Sequence, residues 1–596
     1  MKRPWAIARS CAPARQRAAA LVALLLMAMV CLPAAAAAAK DPQEEFGRKF
    51  ERTIALGAGQ GVRVEHRFGG IQVITHGQRE VVIAANIKVS GTPREEAIRL
   101  KDEIQIQVET VGGELSIRTD YPTWFEKSSS ERRNLSFSVD YEITMPEDAP
   151  LVIQNSFGNV SVMGLKAAAD INNGHGSLTF RDSRGNHRLA NRFGAIEMTN
   201  NTGDLDISDN NGSVTVTQVE GALTLRNRFG SVSVTGVSQR VTIVNSNGKV
   251  TLHEAGASSV TNSFGGVSAS DIRGDLSVSS SNGAVEAHDI GGAARLATTF
   301  GAISFSDIGG ALTASSTNSR VNGSDVGGPA TIRTSFGSVD VRDIGGPLDV
   351  VNSNGKIRAE DIGGNVLLKT TYGSIEAVDI GGSATVTNSN ASITLSKVGG
   401  AADATGSFGS VTLNEIGGTA RVTSGNGSVV LAGIAGDAYV KTSFGLVSAT
   451  RVSGALTVEN TNGGLKASKV GGAVKAQASF GGVSLEEIGG SVEVENQNGA
   501  VEFAGGPAQI EGCRPILLRT SYSTIRVSLP ESANYAVNAR TSYGRVNSEL
   551  PISVREAVGG ESLSGTLGSG GCELRLTNSN GSIELLKAVA SKTPRR

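Results

Sequence analysis

Between residues 151 and 504, Val, Leu, Ile and Ala alternate with polar residues in runs of four to six, and each run ends in a short polar or glycine-rich phrase. The stretch TSFGSVDVRDIGGPLDVVNSNGKIRAEDIGG, residues 334–364, shows the pattern twice. Val339 and Val341 alternate with polar neighbours, as do Leu348 and Val350, which is the period of a half-buried strand. The phrases RDIGG and NSNG between them carry turn chemistry. Each copy is therefore predicted to be two short strands and two corners, with residues 339, 341, 344, 348 and 350 facing inward.

The copies keep strict time. A glycine after Phe or Asn recurs at 158, 176, 194 and onward to 499, with Ser319 and Ala391 standing in twice. The step is 18 residues apart from one of 17, which makes twenty copies. The residue before that glycine alternates between an aromatic and Asn, so the sequence period is 36. A unit of 18 residues cannot close a core, but stacked units can hydrogen-bond to one another and share a continuous one. The predicted fold is all-β: a long parallel β-solenoid of about twenty 18-residue coils. At ~4.8 Å per coil the array would extend ~95 Å. Hexapeptide helices also have 18-residue coils, but they place an aliphatic residue every sixth position, unlike the spacing here.

Stacking turns each coil position into a row. One row contains Phe264, Phe300, Phe336, Tyr372, Phe408, Phe444 and Phe480, with Asn in the intervening coils. The expected role is packing, each ring closing one end of the core while Asn gives it room. The other reading is an exposed aromatic stripe at ~10 Å spacing, suited to stacking on sugars. A second row contains Asp271, Asp289, Asp307, Asp325, Asp343, Asp361 and Asp379. Each carboxylate is expected to fold back onto the amides of its own DIGG turn. The alternative is a ridge in which calcium bridges adjacent coils, although the dense Gly–Asp nonapeptides of calcium-binding β-rolls are absent. A third row of Asn, Ser and Thr, including Asn245, Asn262, Thr334 and Asn352, reads as a structural ladder.

The flanks are less regular. Residues 40–150 read as a β-rich cap with one short helix in TPREEAIRLKDEI, where Thr92 and Glu95 suggest a capping box. Trp124 and Phe125 are expected to tuck under the loop that bears them. The coil register holds over 151–504, residues 505–588 continue and cap the solenoid, and 589–596 form a tail.

Composition adds to this picture. Glycine is abundant, at 76 of 596 residues, and aromatics make up 4%, which suits thin β-structure over a thick globular core. Residues 1–39 have a basic start, an apolar run and a small-residue end, the pattern of a secretory signal peptide. Its removal would leave 50 Lys and Arg against 56 Asp and Glu, a net charge of −6. Such a chain has no basic nucleic-acid surface, and no later segment is apolar enough to span a bilayer. Cys513 and Cys572 would remain, and in an exported chain they are expected to form a disulfide, the alternative being two free thiols. The histidines share no ligand spacing, His175 merely taking the Asn slot of its coil. No catalytic motif stands out, and the register from 158 to 499 gains no residue from which to wall a cleft. No cofactor is implied.

The phrases FGGIQV, IQIQVE…GELSIRTDYP, VDYEITMPEDAPLVIQNSFGNVSV and TSYGRV…GSGGCELRLTNSNGSIEL together resemble the bacterial adhesin-like family with a toast-rack β-solenoid. The likeness runs over most of residues 50–588, with a longer and more regular central array than that family leads one to expect. It implies an exported or envelope-associated protein without catalytic residues. The expected function is an adhesin-like or scaffold rod at the cell envelope, periplasmic, surface-bound or extracellular, contacting a polysaccharide or protein. The alternatives are a polysaccharide-binding module using the Phe or Asp row, and a polysaccharide-processing enzyme.

Overall fold

A computed structural model describes residues 44–127, 135–558 and 560–588. The signal peptide assigned to 1–39, part of the loop after Phe125 and the tail at 589–596 lie outside the described residues. The chain divides into two compact units.

The smaller unit comprises residues up to Arg48, Ile87–Ile104 and Tyr121–Phe137. The longer of its two helices, Arg94–Glu103, buries Ala97 and Leu100 and carries Glu95 and Glu96 in its first turn, where acidic side chains suit the helix dipole; the other, Thr123–Lys127, carries Trp124 and Phe125. The expected capping box does not form. The helix begins only at Arg94, and extended Pro93 occupies the cap position without a side-chain hydrogen bond, which leaves Thr92 one residue too early. Phe125 is buried, edge-on to Phe137 at 4.9 Å. Trp124 donates its indole N–H to Glu103 at 2.5 Å, and the Arg99 guanidinium lies 4.7 Å from its ring. Both aromatics are thus engaged within their own unit.

The larger unit is the solenoid. Each coil contributes one strand to each of two parallel sheets, as Val339–Ile344 and Leu348–Val351 do. Neighbours pair in register 18 residues apart: Val339 with Ile357, Leu348 with Val366. Val339, Val341, Ile344, Leu348 and Val350 are all at most 1% exposed and line the space between the sheets. The core is one side chain deep from each sheet, so its fit is local. Phe305, for example, fills the space opposite Gly323 in the next coil, where an added Cβ would lie 2.5 Å from its ring.

Both ends depart from the simple pattern. At the start, Gly61–Phe68 lies between Leu151–Phe157 and Glu114–Asp120, and the latter pairs antiparallel with Gln105–Val111. At the other end, Cys572–Asn578 inserts in space between Ile516–Thr520 and Tyr535–Thr541. Two antiparallel strands, Ser562–Leu567 and Ile552–Val558, lie beyond. Antiparallel strands at both ends stop the parallel stacking from continuing. Cys513 and Cys572 are joined by a disulfide in this region.

Candidate binding edges of the solenoid

The second-sheet strands run toward the Phe/Asn corner, and there the residues of the third row turn inward. Asn352 is 2% exposed and donates from Nδ2 to the carbonyls of Gly337 at 2.7 Å and Gly355 at 3.0 Å, tying its own corner to the preceding one. Asn191, Asn227, Asn460 and others repeat the arrangement. Corners pack so closely that a Cβ on Gly355 would lie 2.0 Å from the Gly337 oxygen.

With this buried row of Asn, Ser and Thr closing the core in nearly every coil, nothing remains for the aromatic rings to plug. Phe264, Phe300, Phe336, Tyr372, Phe408, Phe444 and Phe480 are 51–62% exposed. The packing role expected for this row is therefore corrected: each ring lies two residues beyond the last inward position of its strand, which is Asn or Thr in five of these coils, Gly406 before Phe408 and Ala478 before Phe480, and the corner carries the ring out of the core. The intervening Asn residues bind backbone instead, as Asn354 Nδ2 does to the Ser335 carbonyl at 3.0 Å and Asn390 to Thr371 at 3.0 Å.

At the N-terminal end the row is continuous. Phe68, Phe157, His175 and Phe193 occupy successive paired strands. Their rings stack at 5.4, 4.6 and 4.6 Å with interplanar angles of 8°, 2° and 3°. His175 is thus a member of an aromatic column. Alternation starts after Phe193 with Asn211, Phe229 and Asn247. At the C-terminal end it survives in space but not in chain order. Tyr522 and Tyr543 follow one another along the chain, yet the strand leading to Asn580 inserts between theirs, and Asn580 accordingly separates them.

The Asp edge is built differently. Asp271, Asp289, Asp307, Asp325, Asp343, Asp361 and Asp379 all have φ between 54° and 59°. This left-handed residue places two outward positions in a row, as the burial pattern of VDVRDI shows, and so turns Ile344 into the core. Asn200, Lys397, Arg451, Gly236 and Gly433 occupy the same position in other coils. What the site requires is tolerance of that backbone, which Asp and Asn have more readily than most residues. The carboxylates do not cap their own turns as expected. Some meet neighbouring side chains, Asp271 with His253 at 2.9 Å and Asp379 with Lys397 at 3.3 Å. Turn amides are bound instead by the residue after the turn's last glycine, one coil away: Asp275 accepts from Ala293 N–H and Asn365 from Ser383 N–H, both at 2.8 Å. An open groove of about 930 Å³ follows this edge. Among the described residues no three His, Cys, Asp or Glu side chains are grouped to hold a metal ion.

Titratable groups with large shifts lie under the sheets. Burial pushes His66 and His187 down to about 4, and raises the Asp209 carboxyl to about 6 against the pull of the Asn210 and Asn211 amides. Asp209 occupies an Asn position of the ladder, and neither of its oxygens makes a well-formed hydrogen bond. In the sequence its only mark is its place between Asn191 and Asn227 in the repeat.

No family model and no curated protein matches this chain. Among solved structures, a candidate cell adhesion protein from Clostridium sporogenes aligns over 100% of its own length and 37% of this chain, with 11% identity and a TM-score of 0.17. A candidate adhesin from Bacteroides fragilis aligns over 97% of its length and 51% of this chain, with 14% identity and a TM-score of 0.11. These two structures carry adhesin descriptions, and at such scores the likeness carries no argument for what this chain does.

Proposed function

We propose that the protein is a non-catalytic, adhesin-like rod of the cell envelope that makes contact through its aromatic edge. The observation that carries this reading is the row of half-exposed rings repeated every second coil. Large apolar side chains left exposed in a regular row, rather than scattered singly, mark interaction sites in soluble proteins. Repetition of a weak contact along a rigid array gives avidity without a deep pocket. The export signal read at 1–39 supports an envelope location. The burial of His66, His187 and Asp209 beneath the sheets supports a role without catalysis. Retention of the purified chain on isolated envelope polysaccharide and on whole envelopes tests the proposal. Wild type should be retained, and replacement of Phe300, Phe336, Tyr372 and Phe408 by Ser should weaken retention at least about tenfold, or ~1.4 kcal/mol. Equal retention of both would reject it.

A further inference from the structure

The aromatic edge alternates although the backbone does not require it to. Phe157, His175 and Phe193 show that this corner accepts a ring in every coil, with faces parallel at 4.6 Å. Crowding therefore does not account for the Asn residues that follow. From Phe193 onward each ring is separated from the next by two coils, about 9.6 Å. The Asn between them is the shorter side chain and is held against backbone, as in Asn318 to Thr299 and Asn354 to Ser335. Halfway across such a gap lies a level about 4.8 Å from either ring, close to the stacking distance the N-terminal column displays. The gap thus has the height of one further aromatic ring.

The surface that carries rings at this repeat is the edge itself. We propose that the partner of the aromatic edge is a second copy of this chain, whose rings enter the gaps above the Asn residues to form an interdigitated column. This rests on the reading of that edge as a contact surface. A two-fold axis perpendicular to the array, midway between an aromatic coil and the adjacent Asn coil, sets every ring of one copy opposite an Asn of the other. The interface is then isologous and closed, with the two solenoids antiparallel. The insertion of Asn580 between Tyr522 and Tyr543 extends the same spacing to the C-terminal end, where those two rings are 57% and 78% exposed. The area suffices. Each ring has roughly 100 Å² to bury, and eleven of them from Phe193 to Tyr543 give about 1,000 Å² per copy, beyond the ~800 Å² per partner of a standard stable interface.

Sedimentation of the mature chain tests this with two variants. The first replaces Phe300, Phe336, Tyr372 and Phe408 by Ser; the second replaces Asn318, Asn354 and Asn390 by Phe, filling the gaps while adding apolar surface. Wild type is expected to be a dimer at micromolar concentration. Both variants should dissociate at least about tenfold more readily, with unchanged circular dichroism showing that they fold. A wild type that stays monomeric at ~100 μM, or a gap-filled variant that associates as tightly as wild type, overturns the proposal; the second result would mean unspecific apolar contact. If wild type is monomeric but the Ser variant loses retention on envelope polysaccharide, self-association falls and the edge remains a surface for a foreign partner. Loss of both effects rejects both readings.

Discussion

At the scale of single residues, the ladder shows what one atom decides. Asn at this position supplies an N–H pair for two glycine carbonyls, whereas Asp209 supplies only oxygens unless it is protonated. Its carboxyl is raised from 3.8 to about 6 in the fold, so the stabilising neutral form is fully present below pH ~4 and is lost as pH rises through about 6. Asp209→Asn should therefore strengthen its coils by about 1–3 kcal/mol above pH 7 and by much less at pH 4. Hydrogen exchange in strands 205–229, corrected for intrinsic rates, would show it, and no gain at pH 7 would refute the ladder account. His187 has the opposite sign. Lying 4.7 Å from Phe180 and 3% exposed, it is held neutral, lowered from 6.5 to about 4. The stability of that coil is present above pH 6.5 and lost as pH falls through 4. Its partner in the next coil is Leu205. His187→Leu should gain over wild type as pH falls, by about 2–3 kcal/mol at pH 4, in the same exchange measurement. Neither group was legible as perturbed in the sequence, because desolvation depends on what lies above and below in space.

At the scale of the coil, the same side-chain type has opposite value on opposite sides of a corner. Phe336 is 62% exposed, whereas Ile344 is 1% exposed at the other corner. In the dissociated chain Phe336→Ala should cost under about 0.5 kcal/mol, and Ile344→Ala about 2–5 kcal/mol. Urea unfolding monitored together with exchange in strands 339–351 separates the two, and a large loss at Phe336 would restore the packing role. The inward rows were readable, since Val339, Val341, Ile344, Leu348 and Val350 follow from period two and the repeat. The Phe row was not. A ring two residues beyond an inward Asn faces in or out according to the path of the corner, which no periodicity encodes. The Asp row is ambiguous in the sequence for a related reason: its charge suggests capping or cation binding, whereas Gly236 and Gly433 at the same coil position are the signal of a left-handed backbone.

At the scale of the molecule, the array is a sum of neighbour contacts, so damage should stay local. The Cys513–Cys572 disulfide closes a span of 59 residues and lies beyond the last regular coil. Replacing both by Ala should destabilise the C-terminal end by roughly 4 kcal/mol while strands 205–434 retain their exchange protection. Limited proteolysis would then cut first within 505–588, and general unfolding of the array would contradict the picture of independent neighbours.

The sequence alone determined the coil, its length, its count and its inward rows. These follow from local alternation, turn residues and repetition, all of which act over fewer than twenty residues. Only the tertiary structure decided the exposure of the aromatic edge, the buried carboxyl at Asp209 and the insertion of 572–578 between earlier strands. Each of these depends on which strand lies next in space, and at the C-terminal end that is not the next strand in the chain. The alternation of Tyr522, Asn580 and Tyr543 exists only after that strand has entered, because strand pairing rather than chain order sets the spacing of rings along the edge.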